Sequence, residues 1–110
     1  MIRLRFLGQS CFTLETGEET LVFDPWLTGN PAQAARPEDL RPTFILVSHG
    51  HADHLGDAVE LAKENRAAVI ATAEVGRFLA AKGCETIEPM HIGGAMEFPF
   101  GRVKLTPAFH

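Results

Sequence analysis

Six consecutive residues, His49-Gly50-His51-Ala52-Asp53-His54, place three imidazoles and a carboxylate in one short stretch. Imidazole nitrogens and carboxylate oxygens are the ligand types of zinc, manganese and iron. An ion held with an open coordination position lowers the pKa of bound water toward 7, so hydroxide is available at neutral pH, and it polarises a scissile carbonyl or phosphoryl oxygen. Hydrolysis is the reaction such a set points to. The bland alternative is a run of polar residues in a solvated loop. If the segment is extended, side chains at i and i+2 point the same way, so His49, His51 and Asp53 project together. His54, reached as the chain turns toward a helix, then aims at a different point and is placed to serve a second ion.

The elements that must position this cluster are legible around it. Phe44-Ile45-Leu46-Val47 is a continuous apolar run, suited to a central strand covered on both faces. After the cluster, Asp57-Ala58-Val59-Glu60 reads as a capping box, and Leu55, Ala58, Val59 and Ala62 form one apolar helical stripe. Ala68 to Ala71 reads as a second buried strand. Thr72 caps a second helix, with Val75, Phe78 and Leu79 on one face and Gly83 as its stop. Upstream, Ile2, Leu4 and Phe6 alternate with Arg3 and Arg5, the pattern of a strand with one buried and one wet face. Cys11 to Thr16 and Thr20 to Asp24 continue an antiparallel series. Residues 25–42 carry four prolines and read as an irregular loop with one turn of helix near Pro37 to Leu40. In the tail, Glu85 to Glu88, Met96 to Phe98 and Val103 to Thr106 read as short strands, with a tight turn at Gly101. An antiparallel opening followed by β-α-β-α implies an α/β (α+β) domain over residues 1–110, its helices on one outer face of the sheet.

The chain has 110 residues, 45% of them apolar and 22% charged, enough for one core. A net charge of −4 and the lack of any basic run argue against nucleic acid as a partner. No signal-peptide-like apolar stretch opens the sequence, and no segment approaches the roughly 18 apolar residues of a membrane span, so a cytoplasmic protein without a membrane partner is expected. Cys11 and Cys84 form no CxxC pair, and neither is assigned a role.

The hexamer resembles the H-x-H-x-D-H signature of the metallo-β-lactamase superfamily. More narrowly, Gly8 to Phe12, Phe23 to Pro31, His49 to Asp57 and Pro107 to His110 resemble the UPF0173 metal-dependent hydrolases, related to lactonases that open sugar-phosphate rings. The resemblance spans the whole chain and implies an αββα sandwich, of which this chain would form about one αβ half, the amino-terminal one. It implies two divalent ions per complete site, zinc first, with manganese or iron as alternatives. His49 and His51 would join His110 at one ion, and Asp53 and His54 would bind the other. Asp53 would also relay a proton to the leaving group, which makes it the candidate catalytic residue. Asp24 would support the ligand loop from behind, while Asp57 is read both as helix cap and as a support for a ligand histidine. Gln9 stands where this branch often has histidine. The family domain is about twice this length, so the bridging aspartate and last histidine would lie beyond His110.

A metal-dependent hydrolase, or half of one, acting on a small ester, lactone or phosphoester is therefore the expected function. The alternative is a non-catalytic metal-binding or assembly module of the same fold. The expected partners are a small-molecule substrate and either a carboxy-terminal half on a second chain or a second copy that covers the apolar sheet face. Trp26 and the proline-rich loop are read either as one lip of a substrate cleft or as a cover for the core edge. His91 is not read as a ligand.

Overall fold

The computed structural model describes residues 1–109. Strands β1 (Ile2–Gly8), β2 (Cys11–Thr16) and β3 (Glu19–Phe23) pair antiparallel in chain order. An irregular stretch with one 3-10 turn at Pro37–Asp39 leads to β4 (Phe44–Leu46), which pairs parallel with β3. Helices α1 (Ala52–Leu55) and α2 (Ala58–Asn65), strand β5 (Ala68–Thr72), helix α3 (Ala73–Ala81) and strand β6 (Ile87–Met90) follow, with β4, β5 and β6 parallel. The result is a six-stranded sheet in the order β1-β2-β3-β4-β5-β6. Strands β7 (Ala95–Phe98) and β8 (Gly101–Lys104) form a separate hairpin.

The pairing register assigns each residue to a face. Val22, Ile45, Val69 and Ile87 lie in one row across four strands. This row faces the helices: Val22, Ile45, Val47 and Val69 share one buried cluster with Ala58, Leu61 and Ala62 of α2 and Leu79 of α3. Burying side chains of this size contributes roughly 1.5–3 kcal/mol each, so this layer is the main source of stability. Of the expected stripe, Ala58 and Ala62 are buried and Leu55 and Val59 partly so, while Leu61, outside that stripe, is buried as well. Helix α3 differs from expectation in one respect, because Phe78 is 46% exposed. The helix meets the sheet at Gly76, where a Cβ would lie 2.8 Å from Ile87 Cγ2. A residue two positions on is rotated by roughly 200° at 3.6 residues per turn, which turns Phe78 outward.

The opposite face carries Leu4, Phe6, Phe12, Leu14, Leu21, Phe23, Phe44 and Leu46 in register. The β7-β8 hairpin covers it only at its centre, where Phe44 packs edge-on against Phe98 and Phe100 at ring distances of 5.9 and 4.8 Å. The expectation that Ile2, Leu4 and Phe6 form a buried row is thereby corrected: they are 69%, 64% and 59% exposed. The alternation is present in β1, but this strand is at the sheet edge, the helices lie on the other side, and the hairpin does not extend over it.

Two strand boundaries also move. The expected strand at Glu85 to Glu88 lies at Ile87–Met90, because Ile87 and Met90 are the residues in register with Val69 and Thr72. Pro89 is tolerated there since β6 is an edge strand. The last strand begins at Gly101 rather than Val103, since Gly101 pairs with Phe98 across a two-residue connection and makes the tight turn shorter than expected.

Gly56, at the end of α1, ties the helical layer to the loop after β3. Its φ is +45°, and a Cβ there would collide with Pro25 O and Trp26 Cα, both backbone atoms. Gly56→Ala therefore combines backbone strain with overpacking and is expected to cost about 3 kcal/mol, lowering the thermal midpoint by roughly 10 °C or more. Gly17 also has positive φ (+60°), but a Cβ added there would meet nothing within 4 Å, so Gly17→Ala should cost only about 1 kcal/mol. Circular dichroism melts of the two variants side by side check the difference.

Candidate metal centre

The site is built where β3 and β4 end side by side. Asp24 follows β3 with φ of +41° and is 7% exposed. Its backbone N–H continues the sheet by donating to Leu46 O at 2.9 Å. Its carboxylate turns toward the segment after β4. Oδ1 accepts the Ser48 backbone N–H at 2.7 Å, and Oδ2 accepts the Ser48 hydroxyl at 2.6 Å and the His54 ring N–H at Nδ1 at 2.8 Å. The Ser48 oxygen in turn lies 2.9 Å from His49 Nδ1.

These contacts determine tautomers. A carboxylate only accepts, so His54 Nδ1 must carry the proton. Because the Ser48 hydroxyl donates to Asp24, its oxygen accepts from His49 Nδ1. Both rings therefore carry a proton on Nδ1, which leaves Nε2 as the nitrogen that can turn to a cation, the arrangement by which a backing carboxylate orients an imidazole ligand.

The ligand segment is extended only as far as His51, whose φ and ψ are −63° and 144°. Helix α1 then begins at Ala52, with His54 N–H and Leu55 N–H donating to His51 O at 3.0 and 2.8 Å. Asp53 is thus placed by a helical turn, not by the extended alternation expected for His49, His51 and Asp53. The same turn brings His54 back toward His49, with ring centroids 4.1 Å apart; the His49 and His51 rings are 4.7 Å apart. His54 therefore lies beside the His49 ring. Asp53 Oδ1 lies 4.0 Å from His54 Nε2, while its Oδ2 and backbone carbonyl accept from Gln9 Nε2 at 3.0 and 3.3 Å. The Gln9 hydrogen bond is the main cause that holds the Asp53 carboxyl below the usual carboxylate range, with the neighbouring His54 and His51 adding to it.

Asp57 stands at the N-cap of α2, but its carboxylate makes no cap hydrogen bond. It accepts instead from the Leu27 and Thr28 backbone N–H groups at 3.1 and 2.9 Å and so holds the loop after β3. The expected ligand at His110 lies outside the described residues. His91 is exposed in the turn before β7, where its carbonyl accepts from Gly94 N–H. Trp26 is half-buried, with its carbonyl accepting from Asn30 Nδ2 at 2.9 Å. A cleft of about 820 Å³ adjoins the rings, bounded by Ser48, His49 and His54 at one end and by Val75, Ile92, Lys104 and Leu105 elsewhere.

Sequence reasoning missed Ser48 and undervalued Gln9. A serine before the histidines has no motif spacing of its own, and the partner that gives it a role is 24 residues away. Gln9 acts across 44 residues.

The donor chemistry suits a divalent cation, since it offers imidazoles, two of them oriented through Nδ1, beside an anionic carboxylate. Among the described residues, however, no group of three or more His, Cys, Asp or Glu side chains is arranged to hold one ion. The described part of the site is thus a prepared but open donor set.

The family model for the metallo-beta-lactamase superfamily matches residues 4–106. The chain belongs to the metallo-beta-lactamase superfamily. Among curated relatives, it is 49% identical over 110 residues to a UPF0173 metal-dependent hydrolase of Listeria monocytogenes serotype 4b, covering 99% of this chain and 48% of that protein. It is 50% identical over 109 residues to one of Bacillus cereus strain AH187, again covering 99% and 48%. The chain thus spans about half the length of the curated relatives it matches. Among solved structures, Igni18, a metallo hydrolase from Ignicoccus hospitalis, superposes with a TM-score of 0.89 at 30% identity, over 99% of this chain and 49% of that one. CmlA, a diiron beta-hydroxylase from Streptomyces venezuelae, superposes with a TM-score of 0.80 at 20% identity, over 98% and 24%. The second likeness concerns the fold alone.

Cys11 is fully buried in the core. Burial, reinforced by the Asp24 and Asp57 carboxylates, pushes its thiol up to about 12. Burial also raises the Cys84 thiol. Both thiols should resist alkylation at pH 8 in the folded chain and react once it is unfolded in guanidinium. The sign for stability follows from linkage: above the ordinary thiol pKa of about 8.5 the unfolded chain loses a proton that folded Cys11 keeps. Its contribution should therefore fall as pH rises from about 9 toward 12, which denaturant melts across that range would register.

Proposed function

We propose that this chain is the amino-terminal half of a metal-dependent hydrolase acting on a small ester, lactone or phosphoester. His49, His51, Asp53, His54 and His110 are the residues that would hold divalent metal, with zinc preferred over manganese or iron. The observation that carries the reading is the buried Asp24 carboxylate, which sets the tautomer of His54 directly and of His49 through Ser48. Solvated polar residues in a loop have no need of such backing. When bound, a divalent ion supplies Lewis acidity, acidifying water and polarising the oxygen of the bond to be cleaved.

The chain's own residues have separable tasks. Asp24 and Ser48 orient the imidazoles. Asp53, exposed and anionic, is the proposed relay: it would accept a proton from the attacking water and pass it to the leaving group. Val75, Ile92 and Leu105 offer apolar surface beside the histidines for the body of a small substrate, and Lys104 offers a positive charge to an acidic one. Asp57 maintains the loop on which Asp24 depends.

The purified chain is expected to retain divalent metal by elemental analysis and to lose it to a chelator. Asp24→Ala should weaken zinc affinity roughly 10- to 100-fold, and His49→Ala should abolish chelator-sensitive hydrolysis across an ester and phosphodiester panel. Metal without any turnover, in the chain together with whatever completes it, would favour the non-catalytic module; no retained metal would remove both readings.

The uncovered face bearing Ile2, Leu4 and Phe6 is the proposed seat of the second half, whether further polypeptide, a second chain or a second copy. Exposed apolar side chains in one row favour association. The chain by itself should therefore sediment as a dimer, and Leu4→Lys with Phe6→Lys should return it to monomer. A wild-type monomer would count against this assignment.

A further inference from the structure

Gln9 lies at the tip of the β1–β2 turn, distant in sequence from every group assigned to the metal centre. Its backbone is left-handed, with φ of +53°, a conformation that costs a non-glycine residue energy and is kept where surroundings enforce it. Here the long loop after β3 enforces it. Asn30 is 5% exposed and its Nδ2 donates to Gly8 O at 3.3 Å, while Ala34 N–H donates to Leu7 O at 3.0 Å. A Cβ at Gly8, whose φ is +121°, would sit 2.7 Å from Ala32 O. The turn is thus pressed against the loop on one side, and Gln9 projects from the other.

The amide of Gln9 then meets two acceptors on one residue. Oδ2 and the main-chain carbonyl of Asp53 are both acceptors only, so the nitrogen end of the amide faces them, and its two hydrogens suffice for both. This holds the Asp53 side chain by one oxygen and by its own backbone. Oδ1 remains on the side of His54 Nε2, 4.0 Å away. The lowered carboxyl pKa of Asp53 agrees with this contact.

We infer that Gln9 is a positioning residue for the metal centre, its side-chain amide occupying Asp53 Oδ2 so that Asp53 presents Oδ1 alone, beside His54, to a bound cation. The inference rests on the metal-site reading above and adds to it the oxygen that ligates and the residue that selects it. The contact is exposed, and an exposed hydrogen bond contributes little to folding, so its loss should be felt at the ion more than in stability.

The test is Zn²⁺ affinity of the full chain, read by competition with a chelating dye, with Gln9→Met as the variant that keeps length but removes the donor. Gln9→Met is expected to raise the Kd for Zn²⁺ about 10-fold or more, while the metal-free thermal midpoint stays within about 2 °C of wild type. In an Asp53→Ala background the same substitution should have no further effect on Kd, because the group it acts through is gone. Equal Zn²⁺ affinity of wild type and Gln9→Met would overturn the inference while leaving the metal site standing. An undiminished effect in the Asp53→Ala background would also overturn it, by showing that Gln9 acts elsewhere. A wild-type chain that binds no Zn²⁺ would remove the site reading and this inference with it.

Discussion

A single carboxylate joins the sheet to the chemistry. Asp24 is where β3 stops, and it keeps its backbone in the sheet by bonding to Leu46 while its side chain reaches the residues that follow β4. A buried carboxylate is costly unless its oxygens are hydrogen-bonded. Ser48 and His54 satisfy that need, and in doing so they lose their own freedom. The ends of two parallel strands, the hydroxyl between them and two imidazoles are thereby locked to one another. Removing the carboxylate would leave each of these groups with a different preferred orientation.

The turns around this centre are strained in a consistent way. Asp24 and Gln9 both have positive φ without being glycine, and both direct a polar side chain into the ligand cluster. Arg66, the other non-glycine residue with positive φ among those described, ends α2, where a left-handed cap is ordinary. The loop after β3 is ordered by its own backbone contacts and by Asp57, and its Asn30 and Ala34 brace the β1–β2 turn from the far side. A segment that looks like an irregular connection is therefore the frame for two of the site's supports.

The two faces of the sheet are covered unequally. Helices bury one face where Val22, Ile45 and Val69 lie, while on the other Phe98 and Phe100 meet Phe44 and the β1 row stays exposed. The chain spans about half the length of its curated relatives. Fold alone does not name the reaction, since a diiron hydroxylase superposes nearly as well as a metallo hydrolase. The reaction must be argued from the side chains at the strand ends and from what completes them.

Much of this was legible in the residues themselves. Periodicity located α2 and α3, and continuous apolar runs located the buried strands β4 and β5, because both signals are local patterns. The hexamer from His49 to His54 marked the candidate donor set, because spacing and residue type are both local properties. Tertiary structure decided what depends on partners far along the chain. It made Ser48 a link between Asp24 and His49, and it gave Asp57 the loop backbone instead of a helix cap. It brought Gln9 to Asp53 and exposed Ile2, Leu4 and Phe6 despite their regular alternation. The physical reason is the same throughout: alternation reports which way a side chain points, while burial, tautomer and hydrogen-bond partner depend on what the rest of the fold places there.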